Sequence, residues 1–277
     1  MVGKVISFIN MKGGVGKTTL TIGAAKRLSE DGKKVLLIDI DPQFNATQTF
    51  IEPEKYELLG EKTIYKLFTP QTNLKQTSKI PKFEEISVDL SESGNTLMLI
   101  PGDLNLVLAN NVSDPSLVKR LKNFIKQNSL REKFDYILID NPPTLTNYTT
   151  AALFASDYYV IPNRIDRYSI KGIESLNFAV ESIVENEELS LKNLGIVYTM
   201  VENNMTQKTI DLKARFEEGE VANNLYIFRS TQSFVRDLQV GKSGANPVTY
   251  QTSNKDIADF VFELTQRILT VEEGNDE

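Results

Sequence analysis

Asn10-Met11-Lys12-Gly13-Gly14-Val15-Gly16-Lys17-Thr18-Thr19 is the stretch that decides the fold. An apolar run, Val5–Ile9, precedes it, and a helical pattern from about Thr18 to Glu30 follows, stopping at Gly32. Strand, glycine-rich turn and helix start form the context in which backbone N–H groups wrap a polyphosphate. The glycines let the backbone approach without side-chain clashes. The helix start adds unpaired N–H groups and a positive dipole end. In that arrangement Gly13, Gly14, Val15 and Gly16 line the cradle and Lys17 reaches the β and γ phosphates. The Thr18 hydroxyl ligates Mg²⁺, and Thr19 sits near the α phosphate. A loop that only turned the chain would have no packing reason to place Gly-Lys-Thr at a helix start.

Outward from this loop, short apolar runs alternate with helical patterns. The strand candidates are Val5–Ile9, Val35–Ile38, Leu97–Ile100, Tyr136–Ile139, Tyr158–Ile161, Gly195–Met200 and Leu225–Phe228. Near-continuous apolar runs suit strands covered on both faces. Helix candidates include one opening at Asp114-Pro115, an N-cap with proline at the first helical position. Two longer ones run at about Ser169–Glu185 and Asn254–Leu269. The alternation predicts an α/β fold, a doubly wound, mostly parallel sheet with helices on both faces. Residues 1–270 read as one domain and 271–277 as an acidic, frayed tail. The segment Glu52–Glu92 is the least regular.

Composition narrows the chemistry. The 277 residues include no Cys, no His and no Trp. Disulfides, thiolate zinc sites, iron–sulfur clusters, cysteine nucleophiles, histidine-ligated metals and the Ser-His-Asp triad are therefore excluded. Chemistry must run on carboxylates, lysines, hydroxyls, backbone amides and a hard cation. Lys+Arg 31 against Asp+Glu 37 gives a net charge of −6, which argues against a surface that coats nucleic acid everywhere. No stretch approaches the roughly 18 apolar residues of a membrane span, and the N-terminus lacks the pattern of a signal peptide. The chain reads as cytoplasmic.

Two carboxylate sites accompany the loop. Ile38-Asp39-Ile40-Asp41-Pro42-Gln43 ends the second strand, where ligands sit in open α/β sheets. Phe134-Asp135-Tyr136-Ile137-Leu138-Ile139-Asp140-Asn141-Pro142-Pro143 is an apolar strand delivering Asp140 towards a metal, the Walker B arrangement.

Lys12-Gly13-Gly14-Val15-Gly16-Lys17-Thr18, with Met11 where the general pattern has its first glycine, resembles the deviant Walker A class. That class includes the ParA and MinD ATPases and nitrogenase iron protein. Asp39-Ile40-Asp41-Pro42-Gln43 with Phe44-Asn45-Ala46-Thr47 resembles switch I of ParA proteins, and Asp140-Asn141-Pro142-Pro143 resembles their switch II. Thr63–Phe68, Leu99–Leu104, Ala155–Pro162 and Ser169, Gly172, Ile173 extend the likeness. Ile227-Phe228-Arg229-Ser230 resembles the late loop that closes over the adenine. The resemblance implies ATP and Mg²⁺ as ligands, an ATP-dependent sandwich homodimer with Lys12 reaching the partner's phosphates, and Asp41 orienting the attacking water. Asp39 falls close to the Mg²⁺ shell beside Thr18 and Asp140.

Zero Cys removes the iron–sulfur members. A MinD-like membrane helix would need basic residues, whereas the last helix carries Asp256, Asp259, Glu263, Glu272 and Glu273, which anionic lipid repels. The phosphate loop begins near residue 10, leaving no room before it for a helix-turn-helix domain. A ParA-type DNA-segregation ATPase, nucleoid-associated with ATP and stimulated by a centromere-binding ParB-type partner, is the implied function. The alternative is a MinD-like or cargo-positioning ATPase. DNA-contact candidates are Lys208, Arg229 and Arg236, together with Lys242 and with Lys213 and Arg215, which read equally well as solvated surface charges; a local basic patch suffices on an acidic chain.

Overall fold

Val5, Ile6 and Phe8, Val35 to Ile38 and Ile137 to Ile139 are all fully buried. Strands of this kind are stable only with both faces covered. The computed structural model describes residues 2–69, 79–92, 94–109, 115–240 and 245–274. The strands are β1 Lys4–Phe8, β2 Lys34–Asp39, β3 Val88–Asp89, β4 Thr96–Ile100, β5 Tyr136–Asp140, β6 Tyr158–Arg164, β7 Lys192–Val201 and β8 Ile227–Ser233. They form one sheet in the order β3-β4-β2-β5-β1-β6-β7-β8. Every pairing is parallel except β3 with β4. The central strand β1 therefore opens its C-terminal end between β5 and β6, with β2 one strand further out.

Alternate side chains divide between the two faces. Ile6, Phe8, Leu37 and Leu138 pack under helix α1, Lys17–Glu30, and the last helix, Gln251–Glu272. Val5, Leu36, Ile38, Ile137 and Ile139 face the opposite way, onto Leu121, Phe124, Tyr148 and Ala151 of helices Arg120–Gln127 and Asn147–Ala155. The helix Arg167–Asn186 buries Ile173, Leu176 and Val180 beside Ile161 and Ile196. This is the doubly wound sheet that the alternation predicts.

Several boundaries differ from the pattern. The helix expected at Asp114-Pro115 begins as a 3-10 turn, Pro115–Lys119, and becomes α-helical only at Arg120; Asp114 lies outside the described residues. The last strand starts two residues later than expected and runs to Ser233. The expected tail also loses its first two residues to the final helix. Val271 is buried and Glu272 meets Lys4 and the Tyr158 hydroxyl, contacts that sequence periodicity does not report. Residues 275–277 of that tail lie outside the described residues. The irregular segment contributes the short edge strand β3, paired antiparallel with β4.

One glycine in β7 is dictated by geometry. The β6–β7 register passes from Tyr159↔Asn193 to Val160↔Gly195, so Leu194 is an extra residue and the strand bulges. Gly195 has φ 130°, and its N–H donates to Asn193 Oδ1 at 2.8 Å. A Cβ there would sit 2.3 Å from the Tyr226 carbonyl oxygen. Gly195→Ala is therefore expected to cost about 2–4 kcal/mol, seen as a lower urea midpoint; an unchanged midpoint would contradict this account of the bulge.

Candidate nucleotide site

The loop after β1 is held open from both sides. At its start the Asn10 side chain donates to the Pro162 carbonyl oxygen at 2.9 Å and to Asn163 Oδ1 at 3.1 Å. Asn10 Oδ1 in turn accepts from the Lys12 N–H at 2.9 Å. At its far end the Thr199 hydroxyl donates to the Val15 carbonyl oxygen at 2.7 Å. Gly14 (φ 69°) and Gly16 (φ 77°) take the left-handed turns that bring the chain into α1. Open space surrounds the Cβ position of Gly14, so the mouth of the loop is clear.

A cavity of about 240 Å³ lies over it, lined by Gly13 through Thr19 with Asp41, Asn45, Pro143 and Met200. Lys17 is buried and its Nζ donates to the Lys12 carbonyl oxygen at 3.0 Å. Burial lowers the pKa of its ammonium, against the charges of Asp140 and Asp41, which raise it. Burial pushes the Asp41 carboxyl up, opposed by the Gln43 N–H and by Lys17. A smaller apolar cavity of about 80 Å³ adjoins Gly16 and Thr19, bounded by Phe234, Val235 and Leu238. The segment 227–230, expected as a loop over the base, is instead part of β8; residues just beyond it line this cavity.

Asp39 and Asp140 are neighbours in register at the ends of β2 and β5, and neither is exposed. Burial, then the charge of Asp39, pushes the Asp140 carboxyl well up, against a hydrogen bond from Thr18. Asp140 Oδ2 is buried with no hydrogen-bond partner. An orphaned carboxylate oxygen beside a loop hydroxyl is a donor set that fits a hard cation, so Thr18 and Asp140 suit the expected Mg²⁺. Asp39 is occupied differently: Oδ1 accepts from the Asp41 N–H at 3.1 Å, and Oδ2 accepts from the Thr47 N–H at 2.8 Å and the Thr47 hydroxyl at 2.7 Å.

Lys12 points away from the cradle. Its Nζ bonds Asp166 Oδ1 at 2.8 Å, Asp166 Oδ2 at 3.0 Å and the Ser169 hydroxyl at 2.9 Å. Asp166 also caps the helix Arg167–Asn186, accepting from the N–H groups of Tyr168 and Ser169. Burial raises its pKa, but the bonds from Lys12 and Ser169 outweigh that and hold it at about 2. The motifs of the phosphate loop and the two carboxylate strands include neither Asp166 nor Thr199. The signal for Asp166 is present as Asp-x-x-Ser ahead of an apolar-periodic run.

The late basic residues stand elsewhere. Lys208, Arg229 and Arg236 are exposed, on or beside the β7–β8 edge. No ion pair joins them among the described residues. Lys213 is taken by Glu217 at 2.6 Å. Lys242 lies outside the described residues.

The Asp166 geometry has a measurable consequence. Its pKa is held below that of a free carboxyl, so its contribution is complete above about pH 4 and fades as pH falls towards 2. Both side chains are about one-third exposed, so the ion pair is worth at most about 1 kcal/mol. Asp166→Asn, which keeps a capping oxygen, should lower stability by less than about 1 kcal/mol, and Asp166→Ala by about 1 kcal/mol more. Urea titration at pH 7 checks this; equal losses for the two variants would contradict the capping role.

Against this geometry stand the relatives. A model of the AAA domain matches residues 3–193. The sporulation initiation inhibitor protein Soj of Bacillus subtilis is 34% identical over 200 residues, spanning 72% of this chain and 74% of Soj. A putative plasmid partition protein from Borrelia burgdorferi, solved with AMPPNP, superposes with a TM-score of 0.73 at 25% identity, covering 96% of this chain and 99% of that one. An ATP complex of a McdA variant from Cyanothece shares the fold, with a TM-score of 0.76 at 23% identity over 96% of both chains. The chromosome partitioning protein ParA of Myxococcus xanthus is 31% identical over 209 residues, spanning 73% of this chain and 66% of that one. On the domain match, on Soj's coverage of both chains and on this relative, this chain belongs to the AAA-domain family of ParA-type partition ATPases.

Proposed function

We propose that this ParA-like ATPase is a DNA-segregation motor whose ATP-bound sandwich dimer binds DNA without sequence preference. Partner-stimulated hydrolysis then releases it. The observation that carries the reading is the pairing of an open phosphate cradle with a second loop lysine, Lys12, that is ordered but turned out of it. A lysine working only within its own subunit would be expected over its own cradle. One held by Asp166, off the lining of its own cradle, is available to a second copy.

In the reading proposed, backbone N–H groups of Gly13 to Thr19 and the Lys17 ammonium bind the polyphosphate of ATP. Thr18 and Asp140 would hold Mg²⁺, which would supply neutralisation of the phosphate charge. Asp41 orients the attacking water for in-line displacement, the work of a positioned carboxylate in a chain without histidine. Lys12 of each subunit leaves Asp166 and neutralises charge on the other subunit's phosphates. Lys208, Arg229 and Arg236, two copies of each, then form a joined basic surface that draws DNA by counterion release. The centromere-binding partner is a ParB-type protein, and the ATP state is nucleoid-associated.

A membrane-positioning role has less support. The last helix spends its apolar face on α1 and the sheet, burying Ile257, Phe260, Val261, Leu264 and Ile268. No helix among the described residues is long and apolar enough to cross a membrane.

Filter binding of random-sequence DNA tests the proposal. Retention should require ATP with Mg²⁺, and Arg229→Ala and Arg236→Ala should each reduce the salt slope of binding by about 1 or more. Equal retention without nucleotide, or none with it, would sink the switch. Lys17→Ala should abolish productive ATP binding. Asp41→Ala should keep ATP binding but slow turnover about 10²–10⁴-fold; turnover matching the parent would remove Asp41 from its role.

A further inference from the structure

Thr47 closes the segment that resembles switch I and stands in the first turn of helix α2, Asn45–Phe50, but the resemblance assigns it no role. It is fully buried, and its hydroxyl has two partners. It donates to Asp39 Oδ2 at 2.7 Å and accepts from the Gly102 N–H at 2.8 Å. The Thr47 N–H donates to the same Asp39 oxygen at 2.8 Å, and the Asp41 N–H donates to the other at 3.1 Å. Both oxygens of Asp39 thus take donors from the one segment that carries Asp41. Hydrogen bonds to a buried carboxylate are strong and directional, and a shared hydroxyl makes them act together.

The same segment is pressed against the corner after β4. A Cβ on Gly102 would lie 2.7 Å from Phe44 Cβ and 2.9 Å from Asp39 Cγ. Phe44 sits at φ 41°, a left-handed conformation rare for a bulky residue. Its ring stacks on Tyr56 at 4.9 Å, and the Tyr56 hydroxyl donates to the Gly102 carbonyl oxygen at 3.0 Å. Residues 41–47 are therefore pinned at Asp39, at Gly102 and through Tyr56.

We propose that Asp39 and Thr47 are positioning residues that clamp residues 41–47 onto the β4 corner and so aim Asp41 into the phosphate cradle, and that Asp39 stands outside the metal shell. The Mg²⁺ role then belongs to Thr18 and to Asp140, whose Oδ2 has no other partner. The inference rests on the reading of Asp41 as the water-orienting group. Loss of the clamp would leave the cradle intact while Asp41 wandered, and displacement of about 1 Å in such a group costs roughly 10²-fold in rate.

Thr47→Val keeps the shape and removes the hydroxyl; Thr47→Ser restores the hydroxyl. Steady-state ATP hydrolysis by the full chain should show kcat for Thr47→Val down about tenfold or more, with KM for ATP and half-saturating Mg²⁺ within about threefold of the parent. Thr47→Ser should return to within about threefold of the parent kcat. Asp39→Asn should follow Thr47→Val. An unchanged kcat in Thr47→Val overturns the proposal, as does an Asp39→Asn defect that is repaired by raising Mg²⁺.

Amide hydrogen exchange on the nucleotide-free protein gives a readout without turnover. Thr47→Val should speed exchange in residues 41–51 and 101–106 together and leave residues 10–20 unchanged. Unchanged exchange in both segments overturns the clamp. If the parent chain does not hydrolyse ATP, that counts against the reading of Asp41, and the exchange pattern still decides whether the clamp exists.

Discussion

Two carboxylates, Asp39 and Asp140, end adjacent parallel strands in register, and both are fully withdrawn from water. Each ion so buried costs several kcal/mol unless it is paired or hydrogen-bonded. Burial pushes the Asp39 carboxyl up to about 7 and the Asp140 carboxyl well above its ordinary value. The two are resolved in different ways. Asp39 collects three donors from residues 41–47. Asp140 keeps one oxygen without a partner. One carboxylate is thus satisfied by a loop, and the other keeps an oxygen that, on the proposed function, would take a cation. Lys17 is a buried ammonium acted on by the charges of Asp140 and Asp41, and on the proposed function it is the group through which a polyphosphate would enter the same balance.

The sheet order makes this juxtaposition unavoidable. Because β5 lies between β1 and β2, the phosphate loop, the switch segment and Asp140 all emerge at one edge. The helices that cover the faces have no choice of side once the apolar residues alternate as they do. The β7 bulge and the Thr199 hydroxyl carry the same constraint to the far half of the molecule. There the end of β7 clasps the loop at Val15 and Met200 lines the cavity.

Much of this was legible in the residues themselves. A strand–loop–helix run with Gly-Gly-x-Gly-Lys-Thr, and apolar strands ending in Asp39 and Asp140, state their local geometry in their own pattern. What escaped depends on contacts distant in sequence. Thr47 meets Asp39 eight residues away and Gly102 fifty-five away, and no spacing rule links the three. Asp166 carried a capping signal, but its bond to Lys12 spans 154 residues. Val271 looks like part of an acidic tail until Lys4 and Tyr158 are seen to receive Glu272. The segment 227–230 resembles a loop by family likeness and is an edge strand by pairing with β7. The net charge of −6 reads first as an argument against DNA. On the proposed function it is the background that keeps single subunits off DNA until ATP joins two local basic surfaces.

The account turns on Lys12 exchanging Asp166 for the phosphates of a second subunit. Light scattering of the Asp41→Ala protein with ATP and Mg²⁺, against the same protein also carrying Lys12→Ala, tests this most directly. The account predicts a doubling of mass with ATP in the first and a single-subunit mass in the second, with single subunits in ADP for both. A dimer that forms without nucleotide, or one that survives the loss of Lys12, would contradict it.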